Sequence, residues 1–370
     1  MVRAPQVKVD LETAPHCTVV CPAGGVDRNM CGPNSATASG YKTQDHLQPA
    51  PASEAADGDL VVEEFPISFG GYTYPHGRIA YVKGRQPTPV ILVHHNYAGC
   101  KRFDVDQAAY LALCGYVGLA VDLYPECEMY TSADRSVNVD RARHFKGSFD
   151  YMQSLLVDPA KWRSLMGAFM AAADVHPAVA AGKAGCIGYC LGGQSCFEQL
   201  RAGHAIQALV SLHGLLHSRP MVEGLPFWDP LQRISAEEYA QRIQPPPSAM
   251  TPGCIVLVEN GADDEHVPED MQKEWIKEMD GSGVDWRFTN HARTPHGFAL
   301  APGVVATSYM EAADRRSTLS MLGAFAEAWP HVEQHHVTRN ASGTIIPYAI
   351  PTSAELALPI SAIGDAKPRG

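Results

Sequence analysis

Residues 184–202 read AGCIGYCLGGQSCFEQLRA, and this stretch decides the fold. Ala184 to Tyr189 is an apolar run suited to a buried strand, and Leu191 to Ala202 has helical spacing. Cys190 stands at the corner, flanked two positions away by Gly188 and Gly192. A strand turning directly into a helix strains the backbone of the corner residue and exposes its side chain. Its neighbours two positions either side must then lack bulk, which the glycines satisfy. The thiol would lie over a helix N-terminus, whose partial positive charge favours thiolate. The N–H of Leu191 would point into the same space, ready for an oxyanion. A buried cysteine in a glycine-rich turn would show the same letters, so the surrounding chain has to decide.

Outward from the corner, element types alternate. Pro89 to His94, Tyr116 to Asp122, Ile206 to Leu212, Gly253 to Glu259 and Val284 to Asn290 read as strands. Phe103 to Cys114, most of Phe149 to Ala181, Pro268 to Asp280 and Val304 to Ala328 read as helices. Two early strands are expected at Leu60 to Ser68 and Gly77 to Lys83. This order predicts an α/β fold, a mostly parallel central sheet with helices on both faces. Ligands in such sheets sit at the carboxyl ends of the strands. The domain is expected over 59–330. Before it, residues 1–58 read as an irregular arm rich in Pro, Ala, Gly and Ser, and 331–370 read as a second arm. Two segments break the alternation. Pro125 to Lys146 reads as an excursion over a pocket, and 215–251, with its Pro245-Pro246-Pro247 triplet, as a lid or pocket insertion.

Composition excludes several function classes. The 370 residues carry 40 acidic and 29 basic side chains, a net charge of −11, so no nucleic-acid footprint and no polybasic membrane anchor is expected. No apolar stretch is long enough to span a bilayer, and Met1 to Asp10 lacks the apolar core of a signal peptide. Ten cysteines are too sparse for a disulfide scaffold, which leaves free thiols in a reducing cytoplasm as the expectation.

An acid and a histidine follow the corner cysteine in the order expected of hydrolases built on such an elbow. After the strand ending at Glu259 come Asp263 and Asp264, and the residues alone leave the choice between them open. After the last strand comes His296, followed by Gly297, with His291 as the nearest rival.

These motifs together resemble the dienelactone hydrolase (carboxymethylenebutenolidase) family of α/β-hydrolases over roughly residues 60 to 330. The resemblance rests on Ile187 to Gly193, the Gly261-x-x-Asp264-x-x-Val267-Pro268 loop, His296-Gly297-Phe298 and Ala120 to Tyr124. It implies Cys190 as nucleophile, His296 as base and Asp264, in preference to Asp263, as the acid orienting it. It also implies an oxyanion hole from the N–H groups of Leu191 and Tyr97, with Asn96, Tyr124 and His213 lining the substrate site. Two departures bear on substrate. Asn96 stands where a glutamate is typical, and Leu300 where an arginine would hold a substrate carboxylate. Pro125-Glu126-Cys127-Glu128 is acidic besides, so a neutral ester, thioester or lactone is expected, with no cofactor and no metal. Two readings from other classes compete: a non-catalytic binding protein of the same fold, and a cysteine-based acyl transferase or lyase.

Other motifs carry less. His94 and His95 are adjacent on a strand and point to opposite faces, which argues against joint metal ligation. His213 and His217 end a strand rather than share a helix face. Cys186 and Cys196 read as core. His16, Cys17, Cys21 and Cys31 form a loose cluster without a Cys-x-x-Cys pair.

Overall fold

In the computed structural model the residues described are 60–126, 141–216, 250–300 and 308–335, with backbone only for 141–146. The chain divides into two units, 1–51 and 52–370, and every described residue belongs to the second. The expected arm at 1–58, most of the 215–251 insertion and the tail beyond 335 lie outside the described residues, as do His16, Cys17, Cys21, Cys31 and His217.

The strands are β1 (Leu60–Glu64), β2 (Ile67–Phe69), β3 (Tyr72–Tyr74), β4 (Arg78–Val82), β5 (Thr88–His94), β6 (Val117–Val121), β7 (Val179–Tyr189), β8 (Ala208–Leu212), β9 (Ile255–Gly261) and β10 (Asp285–His291). The helices are α1 (Arg102–Leu113), α2 (Arg141–Val157), α3 (Pro159–Asp174), α4 (Leu191–Arg201), α5 (Glu269–Asp280) and α6 (Glu311–Ala328). Eight strands form one sheet in the order β1-β4-β6-β5-β7-β8-β9-β10. From β6 to β10 neighbouring strands run parallel, while β4 and β1 at one edge are antiparallel.

The apolar runs of the central strands follow from burial on both faces. In β5, Val90 and Leu92 join a core with Trp162 and Phe169 of α3, Phe197 of α4 and Trp275 of α5. The alternate residues Ile91 and Val93 join a second core with Tyr110 of α1 and Phe325 of α6. Strand period two thus feeds two cores from one segment. The helices of the first layer are also tied by charge. Arg163 of α3 meets Glu198 of α4 at 2.6 Å, Glu198 meets Arg201 at 3.1 Å, and Arg201 meets Glu278 of α5 at 2.8 Å. Among the described residues no helix is long and apolar enough to cross a membrane.

Three expected boundaries shift for local reasons. The strand expected over 60–68 is two strands, because Pro66 cannot donate to a ladder. Beyond it, Gly70 and Gly71, at φ 58° and 82°, make the tight two-residue turn that pairs β2 with β3. The long helical stretch breaks at Asp158, whose carboxylate accepts the Lys161 N–H at 3.0 Å and starts α3 with Pro159 in its first turn. Its end, from Val179, belongs to β7. The last helix starts at Glu311 rather than Val304, because the chain at Met310 is still bonded to the Phe298 carbonyl, 3.0 Å away. Residues 141–146, expected as part of an irregular excursion, are helical.

Candidate active site

The parallel strands deliver six loops to their carboxyl edge, and the candidate residues come from these loops. Cys190 lies between β7 and α4 with φ 57° and ψ −116°, a left-handed backbone that L-residues rarely adopt. A side chain on Gly188 would strike the Gly192 carbonyl, and one on Gly192 would strike the His94 carbonyl. The strained corner is clamped by the turn after β8. Cys190 N–H donates to the Leu212 carbonyl at 3.2 Å, and Leu215 N–H donates to the Cys190 carbonyl at 3.2 Å. That turn carries strain of its own, since His213 has φ 41°.

Asp264 follows β9 and is buried, whereas Asp263 is exposed. The Nδ1–H of His296 donates to Asp264 Oδ2 at 2.8 Å, and the other carboxylate oxygen accepts the His266 N–H at 2.9 Å. The Cys190 sulfur lies close enough to act electrostatically on His296. The two loops are stitched by Asp263 N–H to the Thr294 carbonyl at 3.0 Å and Ala262 N–H to the His291 carbonyl at 2.9 Å. Burial pulls the proton affinity of His296 down. The Cys190 sulfur and the Asp264 carboxylate outweigh that effect and lift its pKa to about 10. His296 therefore holds its proton at neutral pH.

Two further imidazoles flank it. His213, fully buried, stands edge-on to His296 with ring centres 5.1 Å apart, and neither of its ring nitrogens has a hydrogen-bond partner among the described residues. Burial, and then the neighbouring His296, push its pKa well below the usual histidine range, so it stays neutral. His266 packs on the other side at 4.7 Å, with its pKa lowered by burial and by His296. The rival His291 is placed elsewhere: its Nε2–H donates to the buried Glu259 at 2.6 Å.

The segment after β5 is held by its own side chains. His95 donates from Nδ1 to the Asn96 carbonyl at 2.6 Å and accepts the Leu123 N–H at Nε2, 3.0 Å away. The Asn96 side-chain oxygen accepts the Ala98 N–H at 2.8 Å, a local turn that shapes the loop. Tyr124 is fully buried, and its hydroxyl donates to the Tyr97 carbonyl at 2.8 Å. This hydrogen bond braces the Tyr97 segment. Leu191 opens α4, and the first N–H groups of a helix have no partner within it. A surface depression lined by Lys83, Arg85, Thr88 and Pro177 lies at the opposite end of β5 and holds none of these groups.

The corner cysteine, the histidine and the buried acid each follow a strand end at the carboxyl edge of the sheet, and a model of the dienelactone hydrolase family matches residues 76–329, more than half the chain. The chain belongs to that family. Its fold is the α/β-hydrolase fold, and its class is hydrolase. A dienelactone hydrolase-like promiscuous phosphotriesterase from metagenomic libraries is similar at 25% identity and a TM-score of 0.57, over 73% of this chain and 99% of that one. A Klebsiella pneumoniae subsp. pneumoniae protein named after the same family is similar in fold at 19% identity and a TM-score of 0.55, over 73% and 100% of the two chains. No curated protein matches the sequence.

Against the pattern of the dienelactone hydrolases, Leu300 is buried in the core with Phe298 and carries no charge to the site. Sequence reasoning missed His266, which packs on the imidazole of His296. Its position two residues after Asp264 was the available signal. The clamp at 212–215 had no such signal, because a strained φ at His213 leaves no mark in residue type.

Proposed function

We propose that this chain hydrolyses small neutral esters, thioesters or lactones through Cys190, His296 and Asp264. The observation that carries the reading is His296, bonded to buried Asp264 and under the electrostatic influence of Cys190 at its strained corner. The Cys190 sulfur attacks the substrate carbonyl, and the N–H groups of Leu191 and Tyr97 receive the developing oxyanion. His296, already protonated, hands its proton to the leaving oxygen or sulfur. It then takes a proton from the water that releases the acyl group, while Asp264 holds its tautomer. Asn96 shapes the loop that presents the Tyr97 N–H, and His213 backs the imidazole. Leu300 supports neutral over anionic substrates. Small-molecule substrates need neither nucleic acid nor membrane, and the six free cysteines among the described residues suit a reducing cytoplasm.

The test is a panel of short-chain esters, the anionic dienelactone and a neutral phosphotriester, the last taken from the name of the metagenomic relative. Wild type should turn over neutral esters with a higher kcat/KM than the anionic lactone. A clear preference for the anion would mean that a cation outside these positions holds the carboxylate, Arg135, Arg141 and Arg143 being the first to replace.

A further inference from the structure

We propose that His94, Cys186 and Cys196 form a buried zinc site beneath the Cys190 corner. The three residues come from three elements: the end of β5, the interior of β7 and the middle of α4. All are fully buried, and one ring nitrogen and the two sulfurs lie within 4.8 Å of one another. The arrangement follows from strand parity. His94 is two residues beyond Leu92, so both face the same way, and Leu92 is the registered neighbour of Cys186. That face is the one covered by α4, which contributes Cys196.

The histidine has the surroundings of a metal ligand. Its Nε2–H donates to Gln199 Oε1 at 2.6 Å, which fixes the tautomer and leaves a lone pair on Nδ1. Nδ1 is buried and has no hydrogen-bond partner among the described residues. Metal-bound histidines are oriented in this manner, by a second-shell acceptor on the ring nitrogen that does not bind the metal. Charge selects the cation. Two thiolates and a neutral imidazole around Zn²⁺ sum to zero, the one total that a dry core accepts without a further counter-ion. A zinc ion, with bonds of about 2.3 Å to sulfur and about 2.0 Å to nitrogen, would draw the three atoms to within about 4 Å of one another. This is a small contraction from their present spacing.

Binding breaks two S–H bonds and forms two Zn–S bonds and one Zn–N bond, and both protons leave to solvent. No oxidant or reductant is involved. Because the site is enclosed, zinc enters as the chain folds. It would tie the start of the 94–99 segment, which presents Tyr97, to the helix whose first N–H is that of Leu191. The proposal stands apart from the reaction assigned to Cys190, and the adjacent pair His94 and His95 considered from sequence was the wrong pairing for it.

The test is to produce the full chain in cells supplied with Co²⁺ in place of Zn²⁺ and to record its absorption and metal content. The expected result is one cobalt per chain and sulfur-to-cobalt charge-transfer bands in the near ultraviolet. These should persist in Cys190→Ser and Cys114→Ser and disappear in the Cys186→Ser/Cys196→Ser double variant. Cobalt far below one per chain in wild type would overturn the proposal. So would bands that survive the double substitution or vanish in Cys190→Ser. If the double variant does not accumulate as folded protein, X-ray absorption on wild type decides. Two sulfurs and a nitrogen around the metal support the site, and any other first shell overturns it.

Discussion

The Cys190–His296 pair determines the behaviour of the site at the scale of single residues. His296 is lifted from 6.5 to about 10 because the Cys190 sulfur and Asp264 outweigh the opposing effect of burial. Its folded-state pKa therefore exceeds its unfolded one. The stability it contributes is complete below pH 6.5 and is lost as pH rises toward about 10. Melting temperature followed over that window should fall more steeply in wild type than in Cys190→Ala, where the sulfur no longer helps hold the proton. Parallel curves would show that the two groups are not coupled. Chemistry should follow the same pair. Cys190→Ser keeps the shape of the corner but needs full proton removal during attack, so it should lose nearly all ester turnover. His296→Ala should lose about 10³-fold or more, and combining it with Cys190→Ala should add little, because such groups act as a unit. At this scale the sequence showed Cys190 and His296 through their glycine neighbours, Gly188, Gly192 and Gly297. It could not separate Asp263 from Asp264, since only the path of the loop buries one and exposes the other.

At the scale of elements, the corner is held by close backbone approach. A methyl group on Gly192 would collide with the backbone carbonyls of His94 and His95. Gly192→Ala should cost about 3 kcal/mol or more in urea unfolding. Gly323, in the exposed face of α6, has nothing within 4 Å of the same position. Gly323→Ala should stabilise by about 0.5–1 kcal/mol through helix propensity. Equal effects at the two sites would contradict the close-approach account. Element types were legible where packing is two-sided, as in β5 and β9, whose apolar runs have few other readings. Boundaries were not. Pro66 and the Gly70-Gly71 turn divide one expected strand into a strand and a hairpin, and Asp158 divides one expected helix into two. In each case a single residue with special backbone chemistry overrode the periodicity around it.

For the molecule as a whole, the sheet gathers loops that are far apart in sequence, and α4 must keep its place for them to meet. The Arg163–Glu198–Arg201–Glu278 chain fixes α4 between α3 and α5, with Arg201 and Glu198 almost wholly buried. Glu198→Ala would leave two buried or nearly buried guanidinium groups without their shared carboxylate. It should cost about 3–5 kcal/mol, read as a lowered denaturation midpoint. A change within about 0.5 kcal/mol would show that solvent reaches the cluster. This network was illegible in sequence, because charged residues inside a helix read as a solvated face until the packing of a neighbouring helix is known. The order cysteine, acid, histidine was legible, because each residue follows a strand end and all strand ends of a parallel sheet lie on one side.

The most direct test of the central claim is acyl-enzyme trapping. Wild-type protein is mixed with a neutral short-chain ester at neutral pH, quenched in acid within the first turnover, and mapped by peptide mass. The account predicts one acyl group per chain, carried on Cys190 ahead of the nine other cysteines, and none in Cys190→Ala. An acyl group on a different residue, or ester hydrolysis by Cys190→Ala at the wild-type rate, would contradict it.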